Sequence, residues 1–172
     1  VMDRLYKYVG PAEIRLQAWS AAPGWRIFAL SDLERWIVEM IPEREEDGSV
    51  WATFVVDCDE VLRVADRHSE HVACAGGDAV LAAGEIAFSE DDRGTFEVVE
   101  ITNQSTGYCP EPESWSAVRA ALERIPLVHP ERFTQEMIFR RCNRCSGTNI
   151  VKDGWFECGE CGAELPGAWN FG

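Results

Sequence analysis

Basic residues are scarce in this chain: sixteen lysines and arginines stand against thirty aspartates and glutamates, giving a net charge of −14 and a pI near 4.6. A surface of that sign repels phosphate backbones and anionic lipid, so nucleic acid and membrane are disfavoured as bulk partners. Long apolar runs are also lacking. Nothing approaches the roughly 20 residues of a transmembrane helix, and the opening VMDRLYKYVGPAEI has no signal-peptide core. The expected location is the cytoplasm. No internal repeat or low-complexity segment is visible, and 172 residues leave no room for a second full-sized domain.

What is present is the composition of a globular protein, 46% hydrophobic and 27% charged, so a packed core is expected. The seven cysteines form an odd count, and four of them sit as two CxxC pairs. That pattern argues for metal ligation in a reducing compartment over a disulfide framework. Cys58, Cys74 and Cys109 are then free thiols, expected to act as small buried apolar residues.

Periodicity outlines the body. In SDLERWIVEM, Ser31 and Glu34 form a capping box, and Leu33, Trp36, Ile37 and Met40 share a face, which predicts a helix of about three turns. EREEDGS (43–49) is an acidic loop. VWATFVVD and VLRVA read as a hairpin rich in β-branched and aromatic residues. Further strands are expected at 71–75, 79–88 and 95–103. In SWSAVRAALERI, Ser114 is the expected N-cap, and Trp115, Val118, Leu122 and Ile125 line one helical face up to Pro126. The expected fold is α+β: two main helices packed on a bent antiparallel sheet over residues 1–135, with a separate module at 136–172 packed on it.

That module carries the strongest motif. Cys142, Cys145, Cys158 and Cys161 are spaced as CxxC-x12-CxxC, with Gly147, Gly159 and Gly162 placed to let each knuckle turn. Four thiolates with no open position describe a structural Zn²⁺ site. A rubredoxin-like iron site and a dithiol redox pair use the same residues. The motif resembles the zinc ribbon, with a hairpin, TNIVKDGWFEC, between the knuckles. Ribbons often bind nucleic acid, but residues 138–172 hold four bases and four acids, and a footprint needs a basic stripe. A structural role is expected, with Trp155, Phe156, Trp169 and Phe171 pinning the ribbon to the body.

In the body, RHSEHVACAGG (67–77) gathers two histidines, a serine, an acid and a cysteine. If it is extended, His68 and Cys74 point one way and His71 the other, so one ion cannot take all three. By the same parity Ser69 shares a face with His71, a common start for general-base or nucleophilic chemistry. Glu85 stands in the apolar run AAGEIAF, where a carboxylate is either paired or tuned for function. Arg63, Arg67 and His68 are its candidate partners.

Three blocks, His68-Ser69, AAGE at 82–85 and NQSTGYCP at 103–110, resemble in order and spacing the HSS…AAGE…N-x-SGHY-x-P signature. That signature belongs to bacterial polymorphic-toxin modules and plant IQ-motif proteins. The likeness covers residues 67–118. It implies a Ser-His-Glu set of Ser69, His68 and Glu85, with Asn103, Ser105 and Tyr108 lining the same pocket. Two departures matter: Glu70 replaces the second serine, and Gly107 replaces the histidine of SGHY.

Two functions follow as expectations. One is a binding or adaptor protein, with a polar pocket around residues 68–108 that takes a protein or small molecule. The other is a small toxin- or effector-like hydrolase or group-transferase using His68 or His71 with Glu85 and a serine. A nucleic-acid-binding ribbon ranks third on charge.

Overall fold

A computed structural model describes residues 3–40 and 44–172. Val1 and Met2 of the N-terminal stretch, and Glu43 of the expected acidic loop, lie outside them.

The expected hairpin is the centre of the sheet: β2 (Val50–Val56) pairs with β3 (Leu62–Asp66) through Thr53↔Ala65 and Val56↔Leu62. On its other side β2 pairs with β4 (Ala82–Glu90), placing Thr53 opposite Glu85. Short β1 (Trp25–Ile27) borders β3, and β5 (Phe96–Ile101) borders β4 across a bulge between Ala87 and Phe88. The order is β1-β3-β2-β4-β5, antiparallel throughout.

Both faces of β2 are covered, which is why its residues read as a nearly continuous apolar run. Val50, Ala52, Phe54 and Val56, with Ile86 and Phe88, meet Leu33, Trp36 and Ile37 of α2 (Leu30–Met40) and Val118 and Leu122 of α4 (Trp115–Arg124). These are the two expected helices. Val55 and Ala83, on the opposite face, pack with Tyr6, Tyr108, Ala18 of α1 (Ala12–Ala18) and Val72 of α3 (His71–Cys74). No helix among the described residues is long and apolar enough to cross a membrane.

The start of α2 differs from expectation, and α4 starts after Ser114 as expected but without a side-chain cap bond from it. α2 begins at Leu30, and the Asp32 carboxylate reaches back to accept from the N–H groups of Phe28 and Ala29 at 3.0 and 3.1 Å. Ser114 lies inside a 3₁₀ turn, Pro112–Ser114, and its hydroxyl donates to the Glu111 carbonyl. The stretch 71–75, expected as a strand, is the helical turn α3. Gly76 and Gly77 take φ of 67° and 86°, and the Gly77 N–H donates to the Val72 carbonyl at 2.8 Å. That is a glycine helix stop, and the pair ends the turn.

In the C-terminal module β6 (Ile138–Arg141) pairs with β7 (Thr148–Val151). The hairpin expected over 148–158 is held by one bridge, Lys152↔Trp155. Trp169 and Phe171 pack on the body: the Trp169 indole donates to the Cys109 carbonyl at 2.8 Å and meets Tyr6 edge-on, and Phe171 joins Cys109 and Phe139. Phe156 packs within the module against Val151 and Leu165. Trp155 pins nothing, with 70% of its surface exposed.

Candidate functional site

The four cysteines converge. Their sulfurs all lie within 4.8 Å of one another, with Cys142–Cys161 and Cys145–Cys158 at 3.6 Å. A tetrahedron with metal–sulfur bonds of about 2.3 Å has edges of about 3.8 Å, so the cluster is compatible with a zinc-binding site. Two matching turns build it. In each, the first cysteine's N–H donates five residues ahead, Cys142 to the Gly147 carbonyl and Cys158 to the Ala163 carbonyl. The residue four ahead returns the bond, Ser146 to Cys142 and Gly162 to Cys158, and takes a positive φ, 64° and 70° respectively.

These turns aim backbone N–H groups at sulfur. The amides of Cys161 and Glu160 hold the Cys158 thiol down at about 6, and those of Cys145 and Arg144 hold Cys142 below the usual thiol range. The first cysteine of each knuckle is thereby favoured as thiolate, whereas Cys145 and Cys161, each lowered by one backbone amide, are raised on balance by burial and by the neighbouring sulfurs, Cys145 to about 12. Asn149 joins the knuckles: its amide donates to the Gly147 carbonyl and to the Cys158 sulfur, and its oxygen accepts from the Gly159 N–H at 2.9 Å. Such outer partners orient ligands and typically tune metal affinity.

In the body, the helical turn changes the parity of 67–77. His68 is exposed beyond β3, its N–H donating to Asp66. His71 opens α3, half-buried, and its Nε2 lies 2.9 Å from the Gly84 carbonyl. Burial lowers the His71 pKa, and the bond to Gly84 offsets this only in part. A neutral ring with Nε2–H donating leaves the lone pair on Nδ1. Among the described residues, the four cysteines are the one group of three or more His, Cys, Asp or Glu close enough to share an ion.

The contacts around the three blocks run through backbone and through their neighbours. His71 reaches Gly84; Thr53, across from Glu85, donates to the carbonyls of Arg67 and Ser69; and Thr102 exchanges bonds with the Glu85 backbone. Gly84 is required there, because a Cβ would run into the Thr102 carbonyl. Glu85 is half-buried and makes no ion pair among the described residues: Arg63 pairs with Asp57 at 2.8 Å and Arg67 with Glu45.

The third block is occupied with architecture. The Asn103 amide donates to the carbonyls of Pro110 and Met137, and its oxygen accepts from Met137 N–H at 2.7 Å. Tyr108, fully buried, donates to the Asp78 carbonyl at 2.6 Å, and burial raises its pKa. The Ser105 hydroxyl is buried without a hydrogen-bond partner among the described residues. Cys74 and Cys109 are buried as expected, and burial pushes both thiols up to about 12, out of reach as nucleophiles; Cys58, expected buried with them, is exposed.

A cleft of about 250 Å³ opens between α1 and α3, on the same side of the sheet. Alanines wall it, Ala18, Ala21 and Ala22 on one side and Ala65 and Ala73 on the other, with Ser69 and Glu70 also lining it. Burial, then the carboxylates of Glu70 and Glu13, raise the neighbouring Tyr8 phenol, and Arg15 lowers it; Glu70 is the one acid lining the cleft. Thr53 was not singled out in the sequence, and Glu70 was noted there only as the replacement of the second serine. Thr53 carries the same signal as Glu85, a polar residue inside an apolar strand. The alanines carry none, because a small residue that leaves a void reads like one that fits.

No family model, curated protein or solved structure matches the chain. The likeness over 67–118 therefore rests on its three short blocks.

Proposed function

We propose that this chain is a zinc-braced binding protein whose ligand enters the cleft between α1 and α3 and carries an apolar group beside a cation. The observation that carries the reading is the alanine wall with Glu70 at the cleft: larger side chains there would fill a space of about 250 Å³. That volume falls below the roughly 300–1,000 Å³ of drug-sized sites. It suits one anchoring side chain of a partner protein or a fragment-sized amine. The chain's net −14 adds long-range attraction for a cationic partner.

The ion is read as zinc because a closed set of four thiolates is the usual structural zinc shell. Bound there, it supplies folding free energy to a module with little core and takes part in no reaction. Metal analysis of purified protein should return one zinc per chain; iron in its place would overturn that assignment.

The cleft is tested with three small probes of one shape. Phenethylammonium should shift the amide resonances of Ala21, Ser69 and Ala73, neutral 2-phenylethanol should do so more weakly, and phenylacetate should not. Glu70→Gln should erase the preference for the cation. Shifts that are equal for all three, or absent, would sink the reading.

A second reading, a small effector-like hydrolase or group-transferase, draws on one observation. His71 is a neutral base whose Nε2 is anchored on the Gly84 carbonyl, beside Glu85, a carboxylate without an ion pair among the described residues. On this reading expression of the protein slows host growth, and His71→Gln and Glu85→Gln relieve it. Equal growth with and without the substitutions would discard it.

A further inference from the structure

Trp155 leaves 70% of its surface in water at the ribbon tip, although a buried aromatic typically withdraws roughly 150–250 Å² from solvent. The tip is rigid. The Trp155 N–H donates to the Lys152 carbonyl at 2.9 Å across a turn whose Asp153 and Gly154 both take positive φ, 51° and 71°. Positive φ at both central positions is the type I′ geometry that suits the twist of the flanking strands. Lys152 and Trp155 are antiparallel partners, so their side chains leave one face together. The tip thus presents an indole beside an ammonium.

The cleft between α1 and α3 has the complementary character, an alanine wall beside the Glu70 carboxylate. Charge selects which surfaces of two copies can approach. Residues 138–172 hold four bases and four acids, so the whole net −14 resides on the rest of the chain. Body against body is the repulsive pairing. A zinc tetrathiolate adds about −2 to the ribbon, and the ribbon still remains the least charged surface available to a second body.

We propose that the Lys152–Trp155 tip of one copy docks in the cleft of a second copy, with the indole against Ala21 and Ala73 and the ammonium against Glu70. The inference rests on the cleft being a binding site. A single anchor makes a small, transient contact, so association is weak and grows with concentration. It is heterologous, because tip and cleft are different surfaces.

The test is sedimentation velocity on the zinc-loaded full chain, over about 10 μM to 1 mM, the range where a contact of this size populates. The wild type should gain mass with concentration. Trp155→Ala, Glu70→Lys and Lys152→Glu should each remain monomeric, with circular dichroism and zinc content unchanged. Mixing Glu70→Lys with Lys152→Glu sets the intact tip of the first against the intact cleft of the second and a charge-reversed pair the other way round, and should restore association from two monomeric samples, with the variants alternating. A wild type that stays monomeric, a Trp155→Ala variant that associates as before, or a mixture that stays monomeric would overturn the proposal. If phenethylammonium still shifts the cleft resonances in such a monomer, the cleft reading stands and only its occupant is wrong.

Discussion

The body gathers a cluster running from Ile27 to Phe133 on one face of its sheet and a second, around Tyr6, Val72 and Tyr108, on the other. The ribbon's own cluster consists of Cys142, Val151, Cys158 and Leu165, two of them members of the four-cysteine cluster. A module with so few apolar side chains cannot offset the conformational entropy of ordering its chain. The body is specified by burial; the ribbon, on the zinc reading proposed above, is specified by coordination, with backbone amides aimed at sulfur taking the place of a core. The lesson is that the two parts should fail independently and under different insults.

The sharpest break is the metal. Cys142→Ser with Cys158→Ser removes a coordination term whose apparent size in small zinc modules is about 10–16 kcal/mol. Amide protection over 138–165 should vanish while β2, β3 and β4 keep theirs; a ribbon that stays ordered in the double variant would refute the division. The mirror experiment strikes the body. Gly84→Ala forces β4 away from the Thr102 carbonyl and should cost about 1–3 kcal/mol, the usual range for overpacking. It should lower the thermal midpoint of the sheet and leave zinc affinity unchanged.

A smaller effect separates the parts by pH. The His71 pKa in the folded body lies below its ordinary value of 6.5, so in mildly acidic solution the unfolded chain binds a proton that the folded chain resists. This contribution to stability is complete above about 6.5 and drains as pH falls. His71→Asn should flatten that part of the body's pH–stability curve, and an unchanged slope would contradict it. Smallest is Ser146→Gly. Ser146 occupies the left-handed position that Gly162 fills in the other knuckle. Relief of about 1 kcal/mol of strain, partly cancelled by added freedom in the unfolded chain, should raise ribbon stability by about 0.5 kcal/mol. Chelator titration would register this as slower zinc loss.

What the sequence made legible follows the same divide. The ligand set, α2, α4 and the β2–β3 hairpin were readable because each is announced by spacing or period over many residues. α3 was misread because four residues are too few to display a helical period, and its glycine stop looks like a loop. α1 escaped notice: Ile14 and Ala18 face inward while Leu16 is exposed, which blurs its apolar stripe. β1, at three residues, is shorter than any pattern. In the third block of the resemblance, Asn103 and Tyr108 bond to the carbonyls of Met137 and Asp78, about thirty residues away. Such partners leave no trace in local sequence, so a polar residue bound to distant backbone looks like one waiting for a ligand.

The contact of Trp169 with Tyr6 and Arg4, the Arg4 guanidinium 4.6 Å over the indole ring, has a mechanical side. It clasps the first described segment to the last, so tension between those segments loads the clasp and not the sheet. Asn170, two-way bonded to the Arg141 backbone, passes that load into β6, the strand that leads into the first knuckle. Pulled at its two ends, the molecule should yield at a fastening held by one indole, and the metal knuckles should feel the strain before the five-stranded sheet does.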